Sequence, residues 1–127
     1  MVIEHFPSSD ARLAEIWSLQ REDPVCKLLI KFSQDGWPDK NEVPYECLKY
    51  REHRHSISIQ NDLLMKDSRI IIPLKLREEI LNRIHDGHLG ITKCRARARE
   101  SVWWPGLSSD IENLVTKCHK CIQQQKL

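Results

Sequence analysis

The sequence predicts a mostly α-helical chain with a small β meander: a helical N-terminal arm, short antiparallel strands, then a three-helix module. Three observations carry this. Apolar residues recur at helical spacing towards both ends of the chain. Between them, Ser56-Ile57-Ser58-Ile59 alternates polar and apolar, as a half-buried strand does. Arg69-Ile70-Ile71-Ile72 is β-branched and bounded by Pro73.

The first helix is expected over about Ala11 to Gln20, capped by Asp10, with Leu13, Ile16, Trp17 and Gln20 on one stripe. Asp23-Pro24 interrupts it. A second helix, Val25 to Ser33, puts Val25, Leu28, Leu29 and Phe32 on one face, and Asp35 to Asp39 is a turn-rich connector. Pro44 can open a third helix, Tyr45 to about Arg54, anchored by Leu48. The strands follow: Ser56–Ile59, Leu63–Met65 after an Asn61-Asp62 turn, and Arg69–Ile72 after Lys66-Asp67-Ser68. Helical period then returns. Leu76, Ile80, Leu81 and Ile84 form a stripe, Glu79 and Arg83 an i,i+4 pair, and Gly87 a C-cap. A short helix spans about Thr92 to Glu100 and gives way to Val102-Trp103-Trp104-Pro105-Gly106. Ser109-x-x-Glu112 has capping-box spacing and opens a last helix to about Lys117, with Ile111, Leu114 and Val115 buried. The organisation expected is a helical N-terminal extension over 1–55, a β meander over 56–72 and a compact module over 73–124.

At 127 residues there is room for one ordinary domain or two small ones. With 40% hydrophobic and 30% charged residues the average is that of a soluble globular protein, which excludes collagen-like and low-complexity classes. The longest apolar runs are far too short to cross a bilayer. Met1 to Asp10 carries Glu4 and His5 without a long apolar stretch, so no secretory signal is expected. Net charge is +2, unevenly spread: residues 1–64 hold 8 basic and 11 acidic side chains, residues 65–127 hold 12 and 7. The basic C-terminal half permits contact with a polyanion such as nucleic acid. Five cysteines, an odd number, argue against a disulfide framework and for a reducing compartment.

The strongest chemistry is His85-x2-His88, then 29 residues, then Cys118-x2-Cys121. Zinc favours four nitrogen and sulfur ligands in a tetrahedron, and two close pairs separated by a folded segment supply them. Gly87 and Gly90 let the backbone bend so that both imidazoles face one point. A unit of about 50 residues buries limited apolar surface, whereas structural zinc supplies on the order of 10–16 kcal/mol in zinc-finger peptides. The three-helix module is therefore expected to be stabilised by one structural Zn2+, with no position left for a catalytic water. A thioredoxin-like dithiol is the redox alternative, but that motif belongs near a βαβ pattern and a helix start. The histidines taken alone could be surface residues, and His119 is a substitute ligand. Cys26, Cys47 and Cys94 lack partners at metal spacing and read as small buried hydrophobes.

Lys93, Arg95, Arg97 and Arg99 place four positive charges in seven residues, in i,i+4 rows on different sides of a helix. They are candidates for nucleic-acid phosphates, a contact without base specificity; a solvated helix face is the plain alternative. Trp103 and Trp104 could stack on bases, although Trp beside Pro-Gly in a small domain is more often core.

The stretch RIHDGHLGITKCRARARESVWWPGLSSDIENLVTKCHKC resembles the zinc-binding N-terminal domain of retroviral and gypsy-class LTR-retrotransposon integrases. The shared features are the paired His, the Gly-His-x-Gly step, the Lys of the next helix, Trp-Pro-Gly, Asp-Ile and Cys-x2-Cys. Upstream, EDPVCKLLIKFSQDGWP, the Leu63-Leu64-Met65 strand and RIIIP look like the region preceding this module in gypsy-class Pol polyproteins. The resemblance implies that His85, His88, Cys118 and Cys121 are the zinc ligands. Many members space the two His by three or more residues; here it is two. It also implies a non-catalytic role: assisting an integrase in DNA-end binding and multimerisation. The partners would be element DNA, bound weakly and without specificity, and the integrase catalytic core or further integrase copies.

Cleavage and joining in that family belong to a separate core with an Asp, Asp, Glu triad. Asp10 and Glu46 are separated by 35 residues, a spacing reminiscent of the last two members of such a triad, but only nine residues precede Asp10. No enzymatic activity is expected. The expected location is the nucleus or a cytoplasmic particle of a eukaryotic host. A domesticated host protein using the module for protein–protein contact is the alternative, and a dithiol oxidoreductase without metal is a third reading.

Overall fold

The computed structural model describes residues 10–119. Their order is α1 (Asp10–Glu22), α2 (Pro24–Asp35), α3 (Leu48–Arg51), β1 (Ile57–Gln60), β2 (Leu63–Lys66), β3 (Arg69–Ile71), α4 (Arg77–Ile84), α5 (Ile91–Arg99), β4 (Val102–Trp103) and α6 (Leu107–Lys117). Single 3-10 turns lie at Lys40–Glu42, Tyr45–Cys47 and Leu74–Leu76. The fold is mostly helical with a small sheet. No helix among the described residues is long and apolar enough to cross a membrane.

The sheet is the divider of the core. β1, β2 and β3 form the antiparallel meander, with Gln60 opposite Leu63 and Lys66 opposite Arg69. Asn61 and Asp62 both take positive φ (52° and 67°) in the two-residue hairpin loop, the conformation that matches strand twist and that Asn and Asp tolerate. Side chains alternate across the sheet. Leu63, Met65, Ile70 and Ile72 face α4, α5 and α6. Leu64 and Ile71 face Cys26 and Leu29 of α2 and Tyr50 of α3. A strand packed on both faces reads as a continuous apolar run, which is why Leu63-Leu64-Met65 and Ile70-Ile71-Ile72 show no polar alternation.

A fourth strand joins the meander. β4 pairs parallel with β3, Ile70 opposite Val102 and Ile71 opposite Trp103, through Ile70 N–H to Ser101 O at 2.9 Å and Ile72 N–H to Trp103 O at 3.2 Å. The sequence reading treats this segment only as the end of a helix, because two residues carry no period and parallel pairing across the whole α4–α5 connection leaves no local signal.

Other local expectations shift. Trp17 is not on the buried stripe of α1: it is 43% exposed with Arg21 over its ring, and Ile16 and Gln20 are the buried pair. Asp23 is more than an interruption. Its Oδ1 accepts from Val25 N–H and Cys26 N–H at 2.9 and 3.0 Å, capping α2, and its Oδ2 accepts from Leu74 N–H at 3.1 Å. The helix expected from Tyr45 to Arg54 is a 3-10 turn followed by the one-turn α3. Its anchors are Cys47 and Tyr50, while Leu48 is half-buried. Ser109-x-x-Glu112 does not cap α6. The N-cap lies three residues earlier, at Gly106 in the left-handed region, and no side chain caps the helix.

Candidate metal centre

Three side chains meet at one end of the α4–α5–α6 group. α4 is held by Ile80 and Ile84, both buried, and it ends at His85, whose N–H still bonds Leu81 O at 3.0 Å. The chain then reverses within three residues. Gly87 takes φ +86° and His88 φ +54°, and His88 N–H donates to His85 O at 2.8 Å. Two successive left-handed residues fold the second imidazole back over the first, 4.9 Å between ring centroids at 81°. α6, seated by Leu107, Ile111 and Val115, delivers Cys118 at its C-cap. Cys118 Sγ lies 3.3 Å from His88 Nδ1, and the donor atoms of His85, His88 and Cys118 all lie within 4.8 Å of one another.

This donor set fits zinc. Zinc–sulfur and zinc–nitrogen bonds of roughly 2.3 and 2.0–2.1 Å at a tetrahedral angle put sulfur and nitrogen roughly 3.6 Å apart, close to the observed separation. His85 is buried, and its pKa is lowered first by that burial and then by the neighbouring His88, which favours the neutral imidazole that a metal requires. His119 is exposed and stands outside the three-donor group. Cys121 lies outside the described residues.

The other cysteines are buried, and the thiols of Cys26, Cys47 and Cys94 are pushed up, burial being the main cause in each. A raised thiol is a poor nucleophile, so these three pack as small apolar side chains.

The two loop glycines are not equivalent. Gly87 uses the left-handed region, whereas Gly90 is extended (φ −69°, ψ 174°) at the start of α5 with open space where a Cβ would stand. Of the two glycines expected to make the bend, only Gly87 takes part in it, together with His88. Gly87→Ala should therefore lower stability by about 1–2 kcal/mol, while Gly90→Ala should stay within about 0.5 kcal/mol of the parent. Paired urea titrations check both.

The four basic residues of α5 separate. Lys93 is exposed beside the His88 loop. Arg97 is turned inward: its Nη1 donates to Arg83 O, Ile84 O and Asp86 O at 3.3, 3.0 and 3.0 Å. It thus adds a donor to the last carbonyls of α4 and to Asp86 O just beyond, although Arg83 O also accepts from Asp86 N–H at 3.2 Å, and its positive charge sits at the negative end of that helix. Sequence spacing could not reveal this, since it depends on how α5 docks on α4. Arg97→Gln should cost about 1–3 kcal/mol by leaving those carbonyls short of a donor and should speed zinc loss to a colorimetric chelator. Unchanged release would show that the His85–His88 loop holds its shape without Arg97. Arg95 donates to Ser108 O at 3.3 Å, and Arg99 is exposed. Trp104 is core: fully buried, with its Nε1 donating to Asp110 Oδ2 at 2.8 Å. Trp103 is half-buried, edge-on to Tyr50 and His53.

Comparison with known proteins is consistent with this geometry. Residues 72–126 match the family described as "Integrase zinc binding domain". Over 110 residues, 85% of this chain, the sequence is 32% identical to a Caenorhabditis elegans protein named "Uncharacterized protein K02A2.6". The matched stretch is 8% of that relative's length, so the chain corresponds to less than a tenth of it.

Proposed function

We propose that the chain is the zinc-binding N-terminal portion of a gypsy-class retroelement integrase, assisting DNA-end binding and multimerisation, with strand cleavage and joining carried out by a catalytic core outside these residues. One observation carries the reading. The residues that match the integrase zinc-binding family are the same residues whose His85, His88 and Cys118 donors converge. In this reading Cys121 is the fourth ligand, and the site is structural because four protein donors close the tetrahedron. The zinc module over 73–124 is then preceded by a helical extension (1–55) and the meander (56–72). The protein works in the nucleus or in a cytoplasmic particle, where DNA and other integrase copies are its partners.

The test is made on the full, zinc-loaded chain. Native mass spectrometry should find one zinc per chain and self-association, and fluorescence anisotropy should find weak, sequence-tolerant binding to duplex DNA that falls with salt. A zinc-loaded chain that remains monomeric and ignores DNA at low salt would remove the integrase reading and leave only a zinc fold.

A further inference from the structure

Beyond the metal centre, Arg69 of β3 and Arg95 and Arg99 of α5 line one cleft of about 300 Å³. The floor includes Trp103, and the far side is the first turn of α6, with Ser108 and Ser109.

The charges in this cleft are only partly answered from within the fold: Arg95 Nη2 donates to the Ser108 carbonyl at 3.3 Å, and the nearby carboxylates stand farther off. Arg69 Nη2 stands 3.8 Å from Asp67 Oδ2, and Arg95 Nη2 stands 3.9 Å from Glu112 Oε1. Both separations exceed a hydrogen bond, and both carboxylates are more than half exposed, so solvent weakens the pairing. Arg95 Nε is buried without a hydrogen-bond partner among the described residues. The α6 end adds to the same field. Its N-cap is Gly106, which offers no side chain; Leu107 N–H is taken by Trp104 O at 3.1 Å and the Asp110 carboxylate of the first turn accepts from Trp104 Nε1, but no side chain caps the start of the helix as an Asp or Ser N-cap would. Three guanidiniums and an uncapped helix start therefore surround one concavity.

The chemistry that answers this arrangement is a tetrahedral oxyanion. Planar guanidiniums bind phosphate through paired N–H donors, and helix starts favour negative charge. We propose that this cleft holds a backbone phosphate of DNA, with Arg69 and Arg99 closing on its oxygens and the start of α6 beneath. The proposal rests on the DNA-handling reading above and names where the contact is made. A phosphate contact fixes the position of the duplex and reads no sequence. Arg69 precedes the residues matched to the zinc-binding family, so the zinc module alone lacks one wall of the site.

The test uses the full, zinc-loaded chain and a short duplex of arbitrary sequence, with anisotropy measured across a salt series. Arg69→Gln/Arg99→Gln is compared with the parent and with Lys40→Gln, a charge removal on the exposed 3-10 turn away from the cleft. The double variant should lose about one unit of the slope of log K against log salt, the value of one phosphate contact, and about tenfold in affinity at low salt. Its thermal melt should match the parent. In the parent, the amide resonances of Ser108 and Ser109 should shift on adding duplex. If the duplex binds but the double variant changes no more than Lys40→Gln, the cleft is overturned and the DNA reading stands. If the parent binds no duplex, both fall. If inorganic phosphate shifts the Ser108 and Ser109 amides and duplex does not, the site takes a small free anion and the DNA assignment is overturned.

Discussion

Chelating zinc from the full chain should lower its melting temperature by about 10 °C or more, and Cys118→Ser should reproduce most of that loss without a chelator. A ligand held at a thousandfold above its dissociation constant stabilises the folded state by about 4 kcal/mol, and in a domain of this size each kcal/mol moves the midpoint by about 3–5 °C. The effect should be uneven along the chain. The His85–His88 turn contains a non-glycine residue at φ +54°, a conformation that costs about 1–2 kcal/mol and that a bond from the His88 ring to an ion would help to hold. Removing the ion should therefore release that turn and the Cys118 end of α6 first. Ile80, Ile84, Ile111 and Val115 remain in a core shared with Ile16 and the sheet, so helix content should fall less than amide protection around residues 85–90. Hydrogen exchange read by mass spectrometry checks this distribution. An unchanged melt after chelation and in Cys118→Ser would show that the three donors meet for packing reasons alone.

What was legible in the sequence depended on the range of the signal. The stripe Leu76, Ile80, Ile84 could be read because a helix repeats within itself, and all three are buried. The three meander strands were legible from β-branched runs and from Asn61-Asp62. The convergence of His85, His88 and Cys118 was legible because zinc chemistry restricts both residue type and spacing. In contrast, β4 was invisible, since its partner is some thirty residues away in sequence and its two residues are too few for a pattern. The inward turn of Arg97 and the outward turn of Trp17 were also invisible. Both follow from which side of a helix its neighbours cover, and the local hydrophobic pattern of α1 is weak enough that Trp17 and Gln20 compete for the buried face. The buried place goes to Gln20, which bonds the backbone of Leu64 and Ile71, while Trp17 stays 43% exposed.

That exchange predicts a large effect at Gln20. Its side chain is fully buried; Nε2 donates to Leu64 O and Ile71 O at 3.1 and 2.7 Å, and Oε1 accepts from Leu64 N–H at 2.9 Å. The β2–β3 ladder pairs only Met65 with Ile70 and Lys66 with Arg69. Beyond it the strands separate, and Leu64 and Ile71 have backbone groups facing no strand. The amide of Gln20 fills that gap as a stretch of backbone would. Gln20→Met keeps the length and most of the volume but removes all three bonds, leaving buried carbonyls and an N–H without partners. At about 1–3 kcal/mol for each stranded group, relaxation and water entry aside, the loss should reach about 3–5 kcal/mol, a large part of the stability of an ordinary domain. Urea unfolding of the zinc-loaded protein should show a lower midpoint. Zinc content of the folded fraction should be unchanged, because Gln20 touches the sheet and not the donors. A midpoint within about 0.5 kcal/mol of the parent would mean that the strands find other partners, and that α1 is bound to the sheet by Ile16 and its apolar neighbours rather than by this amide.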